Sequence, residues 1–261
     1  MGGDVAAWPS TDEALIDRQC RLAREAEEAV AGDPWSLPTR PVIGGCVVAY
    51  APGEAGPGRP GDRAWAAAVV WQPAGSSSVR RPIDHHLRGR PETLPRRADD
   101  LLAQAVVAGR AGAGYVPGLL ARREGPLLAA AVAELELRPE VLLVDATGLD
   151  HPRRAGLALH LGAVTMCPTV GVTHRPLLAS GSPPELRRGA TAPVSLDDRC
   201  VGFWVCTRTG VRAVVAHAGW RTTPETAART VVTASTEAAR TPVPLQEARR
   251  AAREARALAC A

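Results

Sequence analysis

The chain has 261 residues, 46% of them hydrophobic, and a formal net charge of +4. That length and apolar fraction suit one large globular domain, and the charge is too small for a histone-like coat on nucleic acid. All 31 basic residues are Arg, with neither Lys nor Asn present, a bias expected of a GC-rich genome, so a single Arg carries little information.

Six cysteines without a C-x-x-C pair argue against a zinc site or a disulfide framework. The start, Met1-Gly2-Gly3-Asp4-Val5, lacks both the basic and the apolar part of a signal peptide. No apolar run approaches a membrane span. A cytoplasmic setting with no membrane partner is the expectation.

In chain order, residues 10–31 read as a helix, with Ser10 and Glu13 as a capping box and Leu15, Ile16, Leu22, Ala26 and Val30 as its apolar stripe. Residues 42–50 read as a buried strand whose Gly44 and Gly45 imply a close neighbour against the backbone. Residues 51–62 are a Pro/Gly-rich turn, and 65–71 are a second strand, making a hairpin. Residues 73–98 form a surface insertion in the single domain, with a solvated His85-His86 pair. Residues 101–107 resume the sheet, 127–137 form a helix, and Val141 to Val144 form a strand buried on both faces.

A helix over 155–161, a strand over 163–172, a loop over 179–199, a hairpin of 201–207 with 211–216, and helices over 224–239 and 245–257 complete the chain. That order describes an α/β protein with a sheet of mixed direction. Gly112, Gly114 and Gly118 have the wrong spacing for a dinucleotide fingerprint, and Pro117 stands where its helix would start.

The strand 141–144 ends in Asp145, and carboxyl ends of strands are where α/β sheets hold ligands. By position alone Asp145 could equally cap the following turn. The surrounding motifs discriminate. Tyr115-Val116-Pro117-Gly118, Arg123-Glu124-x-Pro126, Val144-Asp145-x-x-Gly148-x-x-His151-Pro152-Arg153-Arg154 and Pro168-Thr169-Val170-Gly171-Val172 together resemble the endonuclease V family. The resemblance runs from the N-terminal helix to Pro242-x-Pro244-Leu245, leaving out 51–62 and 73–98.

It implies a ribonuclease H-like fold and Mg²⁺-dependent cleavage of nucleic acid near deoxyinosine or inosine. Tyr115 to Gly118 would be the wedge beside an extruded base. Glu124 and Asp145 would be the metal-binding carboxylates, and His151, Arg153 and Arg154 would lie near phosphate.

Several family positions are altered. The strand-one Asp falls on Val47, the Lys after Pro-Thr-x-Gly-Val falls on His174, and the His of Gly-His-Arg falls on Trp220. Gly-x-Gly after the strand Asp becomes Ala146-Thr147-Gly148. An apolar group in place of an anionic ligand weakens two-metal hydrolysis. The expectation is therefore a degraded metal site on a retained fold, with no certain cofactor.

Three functions follow. The first is a repurposed cleft for a small molecule of specialised metabolism, lined by Cys46, Val47 and Trp220, with Glu124, Asp145, His174 and His217 as acid–base groups. The second is the inherited Mg²⁺-dependent nuclease of DNA repair. The third is a nucleic-acid binder without catalysis. The small-molecule reading is the one preferred from sequence.

Overall fold

The computed structural model describes residues 8–52, 58–73 and 100–260. His85-His86 and most of the 73–98 insertion lie outside them. The elements are α1 (Asp12–Gly32), β1 (Ile43–Tyr50), β2 (Arg63–Trp71), β3 (Leu101–Arg110), α2 (Leu120–Ala133), β4 (Val141–Val144), α3 (Leu157–Thr165) and β5 (Thr169–Thr173). They are followed by β6 (Thr191–Leu196), β7 (Arg199–Val205), β8 (Val214–Ala218), α4 (Pro224–Thr233) and α5 (Val243–Cys260).

The eight strands form one sheet in the order β3-β2-β1-β4-β5-β8-β7-β6. The centre, β1-β4-β5, is parallel, and both wings are antiparallel. Alternation along each strand sorts side chains between two cores. Ile43, Val47, Val141 and Leu143 face the layer of α4 and α5, whereas Cys46, Leu142 and Val144 face α2 and α3. Asp145, one step beyond Val144, therefore leaves the sheet on the α5 side. In the sheet, Cys46 pairs with Val144, which brings Val47 level with Asp145.

The β1–β2 hairpin forms as the sequence indicates. Other elements differ from expectation. Thr11, not Ser10, caps α1, its hydroxyl accepting the Ala14 N–H at 3.2 Å. Helix α2 begins seven residues before the expected 127 and carries Pro126 inside it. A proline there removes one backbone donor. The same turn is also held from outside, where Gly112 N–H donates to Arg123 O at 3.3 Å.

Strand β6 forms within the stretch expected to be loop. Asp197 and Asp198 adopt φ of 50° and 59°, the positive pair that a tight primed hairpin turn requires and that Asp tolerates. Pro193 is accommodated because β6 is an edge strand. Helix α4 stops at Thr233, before the run Ser235-Thr236. Thr223 caps its start, accepting from Thr226 N–H at 3.2 Å.

Gly45 fixes how α5 lies on the sheet. A Cβ there would sit 2.5 Å from the backbone carbon of Pro244, so the start of α5 rests directly on the β1 backbone. Buried Leu245, Ala248, Ala251 and Ala252 continue the contact. Gly45→Ala should cost about 2–3 kcal/mol of unfolding free energy through overpacking, measured by urea denaturation; a loss below about 0.5 kcal/mol would mean α5 can lift off without penalty.

Candidate functional site

Asp145 ends β4, Glu124 on α2 is near enough to feel its charge, and each has an arginine beside it. Asp145 Oδ2 accepts from Arg249 Nη2 of α5 at 2.7 Å, with the two side chains 44% and 28% exposed. Around them lies a cavity of about 10 Å³, bordered by Val172, Thr173, His174 and Leu245 among others. Glu124, in the first turns of α2, accepts from the Tyr50 hydroxyl at 3.1 Å. The Arg123 guanidinium lies over the Tyr50 ring, 4.1 Å from its centroid, and is itself paired with Asp62 at 2.7 Å.

Burial pushes the Glu124 carboxyl up to about 7. The Tyr50 hydrogen bond and Arg123 oppose that rise, while the nearby charge of Asp145 adds to it. Burial, and then Glu124 itself, raise the Tyr50 phenol well above its ordinary range, so Tyr50 is a donor at neutral pH.

The other sequence-derived candidates separate. Val47 is 3% exposed and packs in the core under α5. Cys46 does not line the same space. It is fully buried on the opposite face, and burial pushes its thiol up. His174 is exposed beside Asp145; burial of part of its ring and nearby Arg240 lower its basicity.

His217 is wholly buried, with Nε2 2.7 Å from Thr173 Oγ1 and Nδ1 3.7 Å from Asp150. Asp150 already accepts the N–H groups of Leu177, Leu178 and Ala179. Those three donors satisfy the carboxylate, so burial prevails and His217 is held neutral. Trp220 packs in a core with Leu22, Ala26, Ala155 and Leu159, and does not project into the carboxylate cavity. Tyr50, Arg249 and Asp150 were not foreseen as site groups.

A second constellation surrounds the Tyr115–Gly118 turn. Leu119 N–H closes it onto Val116 O at 2.9 Å, and Gly118 takes φ +79°, the left-handed position of a type II turn after Pro. Three side chains converge on Gly118 O: Gln19 Nε2 at 3.1 Å, His151 Nε2 at 3.0 Å and Arg153 Nη2 at 2.8 Å. Arg153 Nε also donates to Gln19 Oε1 at 2.6 Å.

His151 Nδ1 accepts from Arg153 N–H at 3.2 Å, so the ring proton sits on Nε2 and points at the carbonyl. His151 and Arg153 thus each direct one donor to the carbonyl of the turn. Arg154, at φ +52°, reaches Asp197 at 3.7 Å. Tyr115 and Val116 remain exposed at 44% each.

Burial lowers His151 to about 4 from 6.5. The unfolded chain therefore takes up this proton first, and the associated stability, complete above pH 6.5, is lost as pH falls toward 4. We expect a loss of about 3 kcal/mol from His151 over that window, with His217 acting in the same direction. His151→Gln should flatten the pH dependence of urea unfolding, and an unchanged slope would show that His151 binds its proton equally well in the folded and unfolded chain.

A sequence model described as Endonuclease V matches residues 93–250. Endonuclease V of Streptomyces coelicolor is 43% identical over 121 residues, 46% of this chain and 52% of that protein. That of Roseiflexus castenholzii is 42% identical over 118 residues, 45% of this chain and 53% of that protein. The chain thus spans about half the length of the curated relatives it matches.

Among solved structures, endonuclease V of Streptomyces avermitilis superposes with a TM-score of 0.75 at 31% identity, covering 97% of this chain and 96% of that one. The catalytic domain of human endonuclease V shares the fold, with a TM-score of 0.70 at 24% identity over 94% of this chain and 96% of that one. The mixed sheet is the ribonuclease H-like sheet of these structures. With a family match over most of its length and a full-length structural relative above 30% identity, the chain belongs to the endonuclease V family.

Proposed function

We propose that the chain is a nucleic-acid-binding member of its family that engages a strand through the Tyr115–Gly118 turn and does not carry out efficient metal-dependent cleavage. The observation that carries this reading is the turn itself. An aromatic and a β-branched residue are presented to solvent on a loop whose carbonyl is tied by three side chains from two separate segments. Such rigidity has little value for a random surface loop. It suits a ring that must fill the gap left by an extruded base.

The net charge of +4 and the exposed Arg-bearing face of α5, which includes Arg253, offer attraction for a phosphate backbone. The same fold is seen with inosine-containing DNA in endonuclease V of Ciona intestinalis, at 21% identity.

The Mg²⁺ that the family implies does not fit the groups present. Val47 offers no ligand, Asp145 is ion-paired to Arg249, and Glu124 accepts a hydrogen bond from the Tyr50 hydroxyl. Among the described residues no three His, Cys, Asp or Glu side chains are grouped to hold a metal ion. A small-molecule cleft is the less favoured reading, because the cavity beside Asp145 has room for about 10 Å³, whereas ligand pockets hold on the order of 300 Å³ or more.

Fluorescence anisotropy with a single-stranded oligonucleotide carrying one deoxyinosine tests this. Binding should weaken steeply with added salt. Tyr115→Ala should weaken it about tenfold, the effect of losing one base–aromatic stack. Absence of affinity at low salt, or robust Mg²⁺-dependent nicking abolished by Asp145→Ala, would refute the reading.

A further inference from the structure

We propose that Arg249 is a resident cation: its guanidinium holds Asp145 in the way a divalent metal would, so the site binds no catalytic metal while Arg249 is in place. The proposal starts from how Arg249 is delivered. Side-chain alternation sends Asp145 out of β4 toward α5. The contact of Pro244 on Gly45, with buried Leu245, Ala248, Ala251 and Ala252 behind it, fixes the position of α5. Arg249 is thus projected over the end of β4 by a packed helix, and its Nη2 lies 2.7 Å from Asp145 Oδ2. An ordinary surface pair joins two mobile side chains. This one joins a strand end to a helix seated on the same core.

The neighbours leave little for a metal. A hard divalent ion such as Mg²⁺ needs about six oxygen ligands, most of them water or carboxylate. The cavity bordered by Asp145, Thr173, His174 and Arg249 holds about 10 Å³, on the order of one water. Level with Asp145 on β1 stands Val47, which contributes no oxygen. Glu124 accepts from the Tyr50 hydroxyl on one carboxylate oxygen, and Arg123 above the Tyr50 ring has its own partner in Asp62. A guanidinium already neutralises Asp145, and a second cation there would meet like-charge repulsion at short range.

The inference concerns cation binding alone and can be tested without nucleic acid, so its failure is distinguishable from failure of the binding function proposed above. Mn²⁺ serves as the probe, followed by electron paramagnetic resonance and by calorimetry on the intact chain. The wild type should show no saturable Mn²⁺ binding in the millimolar range. Arg249→Gln, which removes the charge and shortens the side chain while keeping it polar, should bring Mn²⁺ binding into that range, an affinity gain of about tenfold or more. Arg249→Asp should bind more tightly still, and Asp145→Asn added to either should abolish the gain.

Far-UV circular dichroism and the melting temperature establish that each variant is folded. Should both Arg249 variants fail to fold, Val47→Asp in the wild-type background becomes the second test. With Arg249 present it should gain far less Mn²⁺ affinity than the same substitution combined with Arg249→Ala. Stoichiometric Mn²⁺ binding by the wild type that is lost in Asp145→Asn would overturn the proposal. So would a folded Arg249→Gln protein that remains indifferent to Mn²⁺, or equal gains from Val47→Asp with and without Arg249.

Discussion

The seating of α5 on β1 is the constraint on which the carboxylate end of the sheet depends. Gly45 allows the Pro244 backbone to rest on the strand, and three alanines on the buried face of the helix keep it close. Close approach of that kind is specified by volume: any side chain at position 45 would push the helix outward. Because Arg249 follows buried Ala248 by one residue, the packing of the helix also sets the placement of its guanidinium over Asp145. Electrostatics at the site is therefore a consequence of packing several residues away.

The Tyr115 turn is organised by a different device. Its conformation would cost little to lose if only Pro117 and Gly118 specified it, since type II turns on a surface interconvert with others. Here a single carbonyl collects donors from α1 and from the segment after β4. Two of those donors, His151 and Arg153, also hydrogen-bond within their own segment or to Gln19. A network with every member satisfied is rigid, and one with a member missing leaves a buried polar group unpaired. The motif His151-Pro152-Arg153 thus acts on the turn from behind, and Tyr115 is left exposed.

Much of the fold was legible because it rests on local patterns. Val141 to Val144, the paired glycines of β1 and the turn residues Pro117 and Gly118 each carry their physical reason within a few positions. The site was less legible because its decisive contacts are distant in sequence: Tyr50 with Glu124, Arg249 with Asp145, Gln19 with Gly118. In a chain whose basic residues are all Arg, Arg249 bears no mark that separates it from its helical neighbours. Strand β6 was hidden by Pro193 and by a turn made of two Asp residues, neither of which signals a hairpin as Asn-Gly does. Cys46 and Val47 are adjacent in sequence but face opposite layers, which the alternation rule already implied.

A guanidinium and a divalent metal differ in what they can do for a phosphodiester. Both attract its ground-state charge, and Arg does so with directed hydrogen bonds. Only the metal lowers the pKa of bound water and gathers nucleophile and leaving oxygen around one centre. Exchanging one for the other would retain attraction for the strand and remove the stabilisation that exists only in the transition state. With Arg249 as resident cation, Val47 and Arg249 would act together: Val47 brings no anionic ligand level with Asp145, and Arg249 supplies a positive charge to that carboxylate from a helix packed against the same strand.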